Sequence, residues 1–209
     1  DQIEGKEYTE FYHHLTHDCN DPVEVVHFRA EGSLDYTALL YLPKERAPEL
    51  FDPEHNHSRI SLYVRRVLIM RECEELLPPW LRFVRGVVES ADLPLNVSRE
   101  TLQASPKVRQ IKNRLVKKVL EALADLLERE RARYEEFWAS FGAVLKEGIY
   151  YGEDEDQKLA RLLLFHSSKG GDWTSLAQYV ERMPVAQKEI YTLSGTDRAT
   201  VERSPHLEA

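Results

Sequence analysis

The segment DLPLNVSRETLQ, residues 92–103, places Arg99 directly after Asn-Val-Ser and at the start of a run with helical character. The first turn of a helix carries the positive end of the backbone dipole, which favours a carboxylate over a guanidinium. An arginine at this position is therefore expected to serve a negatively charged group. A guanidinium has five fixed donors and stays charged at any working pH, so phosphate is a suitable partner. The alternative is a local ion pair with Glu100 or Glu89, because surface ion pairs are common.

The residues before Arg99 are suited to hold it in place. Asn96 or Ser98 is predicted to cap the short helix, because both side chains accept hydrogen bonds from free backbone N–H groups. Pro94 restricts the backbone that leads to this cap. These residues would aim the Arg99 side chain.

No other segment predicts self-contained catalysis. The sequence has neither Gly-x-x-x-x-Gly-Lys-Ser/Thr nor Gly-x-Gly-x-x-Gly, so no loop would hold a nucleotide phosphate through backbone amides alone. His166 lies beside two serines, but no Gly-x-Ser-x-Gly segment frames them as nucleophiles. Residues 13–19 contain three histidines and Cys19, a weak match to a closed four-ligand zinc site, so no metal site is predicted.

Composition favours a cytoplasmic globular protein. The 209 residues are 42% hydrophobic, enough for one large or two modest cores. No apolar run approaches the roughly 20 residues that cross a bilayer, and the N-terminus lacks a signal-peptide pattern. Cys19 and Cys73 fit a reducing compartment, and a net charge of −8 disfavours general binding to nucleic acid. Because no Met begins it, the chain is expected to be a piece of a longer protein.

Strands are predicted in the first third of the chain. Residues 23–30 and 34–42 read as an antiparallel hairpin, and residues 60–70 as a third strand. The proline-rich loop between the second and third strands offers Leu50 and Phe51, as core residues or as a contact surface. One face of the second strand carries the alternating residues Leu34, Tyr36, Ala38, Leu40 and Leu42.

Helices are predicted by apolar residues at helical spacing. Residues 79–90 form the first predicted helix. Ser105 caps and Pro106 begins a longer one. Its predicted buried stripe is Val108, Ile111, Leu115, Val119, Leu123 and Leu126. Its opposite, basic face is interpreted as solvated and consists of Lys107, Arg109, Lys112, Arg114, Lys117 and Lys118.

Shorter elements are predicted toward the C-terminus. Residues 130–145 place Tyr134, Phe137, Trp138 and Phe141 on one aromatic stripe, interpreted as a packing seam. Further helices are predicted over 158–165, 176–183 and 196–204, and a strand over 188–193.

Four segments in one order resemble a known family. They are LYVRRVLIM (62–70), LPPWLRFVRGVVESADLPLNVSRETLQ (77–103), FWASFGAVLKEGI (137–149) and SLAQYVERMPVAQKEIYTLSG (175–195). Together they resemble the middle domain of the heat-shock protein 90 chaperones. The bacterial HtpG type is the most similar, notably in FVRG, LPLNVSRE, FGAVLKEG and SPHLE. The resemblance covers essentially the whole chain.

The resemblance implies a division of labour in ATP hydrolysis. Members of this family bind ATP with Mg²⁺ in an N-terminal domain, and their middle domain supplies a catalytic-loop arginine that reaches the γ-phosphate when the domains close. By position in LNVSRE this arginine is Arg99, and Gln103 is the second catalytic-loop residue. Thr101 stands where relatives usually carry an apolar residue. This difference affects the expected local packing and not the assignment of Arg99. The isolated fragment is not expected to hydrolyse ATP or to bind a nucleotide tightly.

The resemblance also implies an α/β fold and a set of partners. An α-β-α sandwich (ribosomal protein S5 domain 2-like) is expected over 1–128, a short helical linker subdomain over 129–162, and the start of a smaller α/β subdomain over 163–209. Expected partners are the N-terminal ATPase domain and the C-terminal dimerisation domain of the same chain, and unfolded or partly folded client proteins. The full-length protein would be a cytoplasmic homodimer in stress response and protein folding. Leu50, Phe51 and Trp173 are candidate client contacts, and the first two also suit an interdomain contact.

Two other functions stay open. A scaffold without a catalytic contribution has the same expected fold. A nucleic-acid-binding α/β module would use the basic face of the long helix, although the acidic balance disfavours it.

Overall fold

The computed structural model describes residues 3–52, 58–95, 98–152, 157–169 and 173–207. The chain divides into two compact units, residues 1–153 and 154–209. The three-part division into 1–128, 129–162 and 163–209 stays a prediction.

A five-stranded mixed sheet forms the centre of the first unit. The predicted hairpin is confirmed: β1 (Glu24–Ala30) pairs antiparallel with β2 (Tyr36–Leu42). The other strands are β3 (Arg59–Val64), β4 (Val67–Met70) and β5 (Arg85–Ser90). The order is β1-β2-β5-β3-β4, with β5 antiparallel to β2 and parallel to β3.

Helices lie on both faces of this sheet, as the predicted sandwich requires. On one face, the Tyr41 hydroxyl donates to the Tyr8 carbonyl of α1 (Gly5–Thr16) at 3.0 Å. Of the residues predicted to share a face, Leu34 lies just before β2 and the other four lie on the opposite face of that strand, and all five are buried. On that side, Tyr36 lies near Arg114 of α3 (Pro106–Arg129).

The long helices follow the apolar spacing of the sequence. Ser105 caps α3 by accepting from the backbone N–H of Val108 at 3.5 Å, and Pro106 is its first residue. Every residue of its predicted stripe is buried. The aromatic stripe lies on α4 (Arg131–Tyr150) and is also buried, with the Phe141 ring 5.0 Å from Phe137 and 4.8 Å from Phe83. The stripe is therefore a packing seam, but α4 is one long helix rather than a short piece.

The helix predicted over residues 79–90 is wrong. A 3-10 turn, Pro79–Leu81, precedes β5, in which alternate residues are buried. The apolar residues of this short segment fit a period of two as well as a helical period. Gly86 decides between them, because its φ of 150° disfavours any side chain and a Cβ would collide with the Leu39 carbonyl of the neighbouring strand.

The single strand predicted over residues 60–70 is a hairpin of β3 and β4. Arg65 and Arg66 form its turn with φ of 49° and 65°. Such left-handed turns usually contain Gly or Asn, so two arginines gave no turn signal. The helix α1 was also missed, since its sequence contains few aliphatic residues and only Tyr12 is buried.

The second unit contains short elements. They are β6 (Leu164–Phe165), β7 (Thr174–Ser175), α5 (Leu176–Glu181) and α6 (Arg198–Glu202). The helices predicted over 176–183 and 196–204 are confirmed. The helix predicted over 158–165 is wrong, because a 3-10 turn leads there into β6, which pairs with β7. The strand predicted over 188–193 is also wrong, since these residues are not in a strand and pair with none of the described strands.

Candidate functional site

Arg99 is the first residue of a short helix, α2 (Arg99–Ala104), which begins after a side-chain cap. The hydroxyl of Ser98 accepts from the backbone N–H of Thr101 at 3.3 Å, so the predicted cap by Ser98 is observed. The two hydroxyl groups share a further hydrogen bond of 2.8 Å. Asn96 lies outside the described residues, and Pro94 is exposed before the cap.

The helix orients Arg99 and Gln103 away from the core. Leu102 is buried, whereas Arg99 and Gln103 are both exposed. Residues four positions apart lie on the same helix face. The two residues predicted for the catalytic loop therefore share one accessible side of α2. Thr101 is exposed as well, so its polar side chain does not disturb the packing of this helix.

The Arg99 guanidinium lies against two carboxylates of the 3-10 turn Glu74–Leu76. It forms an ion pair with Glu74, and its Nε lies 3.6 Å from Glu75 Oε1. The hydrogen bond that Arg99 donates to the Glu74 carboxylate is the main cause that raises the pKa of Arg99. The alternative partners Glu100 and Glu89 are not the ones observed, and Glu89 instead accepts from the backbone N–H of Arg66 at 3.0 Å.

The two carboxylates differ in their surroundings. The Glu74 side chain is 40% exposed, while that of Glu75 is 7% exposed. Glu75 Oε1 accepts no hydrogen bond from the residues that the structure describes, and Oε2 accepts from the Cys73 thiol at 3.5 Å. Burial, and then Glu75, raises the pKa of Cys73 to about 12. Sequence reasoning missed this acidic pair, for which the Glu74-Glu75 doublet before β5 was the available signal.

The other predicted contact residues lie elsewhere. Leu50 is 5% exposed and belongs to the core, where its carbonyl accepts from Arg82 Nε at 2.9 Å. Phe51 is 47% exposed, with the Arg46 guanidinium 5.4 Å from its ring centre. Trp173, in the second unit, is half-buried and stacks on His166 with ring centres 4.0 Å apart.

The remaining clusters are occupied by local contacts. Among the described residues, no three His, Cys, Asp or Glu side chains gather as metal ligands. His13 bonds the Asp18 carbonyl at 2.6 Å and the Asp21 carboxylate at 3.0 Å. On the basic face of α3, Lys118 pairs with Glu121 at 2.8 Å. No helix among the described residues is long and apolar enough to span a membrane.

Comparison with known proteins decides the family. The model of the family described as "Hsp90 protein" matches residues 1–209. The chain belongs to the Hsp90 family. The chaperone protein HtpG of Geobacter sulfurreducens is 48% identical to it, over 99% of this chain and 32% of that protein. The HtpG of Bdellovibrio bacteriovorus is 47% identical, over 99% of this chain and 33% of that protein.

A solved structure shows which part of such a protein this is. The middle domain of a heat shock protein from Plasmodium falciparum matches with a TM-score of 0.85 and 31% identity, covering 99% of this chain and 80% of that one. The Hsp90-family chain spans about a third of the length of its HtpG relatives. It is a middle domain of the bacterial HtpG type, and the predicted family and α/β fold are confirmed.

Proposed function

We propose that this chain is the middle domain of an ATP-dependent molecular chaperone and supplies Arg99 to the γ-phosphate of ATP held by an N-terminal domain of the same protein. The observation that carries the proposal is the position of Arg99. It is a half-exposed guanidinium at the start of α2, beside Gln103 and held by carboxylates rather than by the core.

The donors of this site fit a terminal phosphate and not a whole nucleotide. A guanidinium and a side-chain amide on one helix face match the oxygens of a phosphoryl group. Among the described residues there is no ligand cluster for Mg²⁺. In this proposal the N-terminal domain binds ATP and Mg²⁺, and this chain contributes donors to one end of the substrate.

Arg99 acts by stabilising the charge that develops on the transferring phosphoryl group. Arginines supplied in this way accelerate hydrolysis by about a thousandfold or more. Because Arg99 comes from a separate domain, hydrolysis depends on closure of the two domains. Gln103 donates from the next turn of α2, and the Ser98 cap positions the start of that helix.

The carboxylate pair holds Arg99 until the phosphate arrives. A half-exposed ion pair adds little to the stability of a protein, because water screens it. A phosphoryl group of higher charge, bound in a site from which water is excluded, competes well with Glu74. The exchange of one anion for another leaves α2 intact.

The same proposal covers the partners of the chain. The domain works within a cytoplasmic homodimer that is joined through a C-terminal domain, and it offers surface to unfolded or partly folded client proteins. Phe51 and Trp173 are the proposed contact residues, with Phe51 also suited to an interdomain contact. Leu50, the neighbour of Phe51 in the sequence, is buried in the core.

The test uses the full-length protein that contains this domain. We expect Arg99→Ala to lower kcat for ATP hydrolysis by about a thousandfold and to leave the Kd for ATP unchanged. Arg109→Ala removes an exposed arginine from α3 and serves as the matched control. A kcat unchanged by Arg99→Ala would contradict the catalytic role and leave the scaffold function.

A further inference from the structure

Two arginines lie side by side at one end of the central sheet. The parallel register of β3 and β5 places Arg59 opposite Arg85, on the same face of the sheet. Like charges at such positions destabilise a sheet. Burial, and then the charge of Arg59, lowers the pKa of Arg85 to about 10. The repulsion between Arg59 and Arg85 lowers the stability of the fold, so a role for the two cations is expected.

The Arg85 guanidinium is held in place but retains unused donors. Its Nη1 donates to the carbonyls of Arg82 at 2.8 Å, Phe83 at 3.1 Å and Val84 at 3.4 Å. Its Nε and Nη2 make no hydrogen bond within the described parts of the chain. These two nitrogens form the edge with which a guanidinium binds an oxyanion through two parallel hydrogen bonds.

Carboxylates do not neutralise this pair directly. Within the described ranges, neither Arg59 nor Arg85 forms an ion pair, although the chain has 36 acidic and 28 basic residues. Asp18 and Glu72 act on Arg85 only through space. Other arginines that lack ion pairs, such as Arg109, are exposed to water, whereas Arg59 and Arg85 are partly buried.

The pair borders open space. Arg59 and Arg85 line two cavities of about 290 Å³ and 470 Å³ on the side of the sheet that α1 covers. The larger cavity is also lined by Arg71 and Tyr63, with Glu72 as the single carboxylate among its lining residues that the structure describes. Three guanidinium groups against one carboxylate favour an anion in this cavity.

We propose that Arg59 and Arg85 form a binding site for a phosphate-class oxyanion, either a free inorganic ion or the phosphoryl group of a small molecule. The oxyanion accepts hydrogen bonds from the free edge of Arg85 and removes the repulsion between the two cations. The adjoining cavity has room for a second phosphoryl group or a small organic part. Arg99 takes no part, so the site is independent of the function proposed above.

The experiment measures thermal unfolding of the 209-residue chain with added pyrophosphate, at an ionic strength held constant with chloride. We expect Tm to rise with pyrophosphate and to saturate, because a ligand that binds only the folded state stabilises it. Arg59→Gln should weaken binding by about tenfold in calorimetry, so its Tm should rise less than that of the unchanged chain at the same pyrophosphate concentration. Without pyrophosphate, this variant should unfold at the same or a higher temperature, since one like charge is gone.

Two further variants separate binding from general charge effects. Arg109→Gln removes the same charge from α3 and should retain the full rise in Tm. Arg85→Lys keeps the charge but loses the two-donor edge, and it should bind pyrophosphate more weakly than the unchanged chain. An unchanged Tm in the starting protein, or an equal rise in Arg59→Gln, would overturn the proposal.

Further ligands identify the source of the oxyanion. Stronger binding of inorganic phosphate than of O-phosphoserine supports a site for the free ion, and the reverse order supports a phosphoryl group on an organic molecule. Malonate serves as a dicarboxylate of similar size. Binding of malonate as tight as that of pyrophosphate would overturn the assignment to phosphate-class anions.

Discussion

The guanidinium of Arg99 forms an ion pair with Glu74, a residue of the turn between β4 and β5. Both side chains are partly exposed, so water and salt weaken their attraction. Glu75 lies behind them with a buried carboxylate oxygen that accepts no hydrogen bond within the described part of the chain. The domain thus holds its proposed catalytic cation with groups that a phosphate can replace, rather than with a buried network.

Removal of the Glu74 charge should raise the ATPase activity of the full-length protein. In Glu74→Gln the phosphate no longer competes with a carboxylate, and since exposed ion pairs are weak, we expect kcat to increase by no more than about fivefold. Steady-state assays of ATP hydrolysis measure this change in kcat. Glu100→Gln removes a charge beside Arg99 that is not its ion-pair partner, and it is the control. A lower kcat in Glu74→Gln would show that this carboxylate positions Arg99 for hydrolysis instead of competing for it.

A second ion pair, between Arg82 and Glu147, should contribute far more to stability. The Arg82 side chain is 5% exposed and donates to both Glu147 oxygens, at 2.6 and 2.8 Å. Glu147→Ala leaves a buried cation without its partner, so we expect the free energy of unfolding to fall by about 3 kcal/mol. Urea unfolding measures this loss.

Two controls test the cause of that loss. Glu10→Ala breaks the exposed pair with Lys6 and should cost less than about 0.5 kcal/mol. Replacing Arg82 by Met together with Glu147→Ala should recover part of the stability, because no unpaired charge stays buried. A double variant as unstable as the sum of its single changes would contradict this explanation.

Local sequence patterns predicted those helices and strands whose apolar spacing and caps lie within one segment of the chain. The stripe of α3 repeats over many turns and begins at a Ser-Pro cap, so its helix and its buried face followed from spacing alone. In β5 the apolar run is short, and only the close approach of Gly86 to a neighbouring strand excludes a helix. The residues around Gly86 in the sequence do not reveal this contact between two strands, so β5 could not be predicted from them.

The candidate site was predictable to a similar extent. The position of Arg99 at the start of a helix and its cap by Ser98 follow from residue types, whereas its assignment to a catalytic role came from the family resemblance. Its partner Glu74 lies on another segment, so only the folded chain brings the two together. The pairing of Arg59 with Arg85 likewise depends on the parallel register of two strands joined by a long connection.

The two cysteines should differ in reactivity. Cys19 is exposed, whereas Cys73 is buried and its pKa is raised to about 12, so Cys73 has almost no thiolate at neutral pH. We expect iodoacetamide to alkylate one thiol per chain, at Cys19, as mass spectrometry of the intact protein would show. Urea should expose the second thiol. Equal labelling of both cysteines in the native chain would contradict the buried position of Cys73.

His13 should make the stability of the chain depend on pH. Its hydrogen bond to the Asp18 carbonyl, and then its contact with the Asp21 carboxylate, raises its pKa in the folded chain above the unfolded value of about 6.5. A raised folded pKa means that the protonated form stabilises the fold. This contribution is complete below the unfolded pKa and is lost as the pH rises through the folded one. His13→Gln should therefore lower the urea midpoint at about pH 5.5 and change it little at about pH 8.5.

His14→Gln is the control, since His14 makes no hydrogen bond within the described ranges. A midpoint lowered equally at both pH values would instead indicate a role in packing alone.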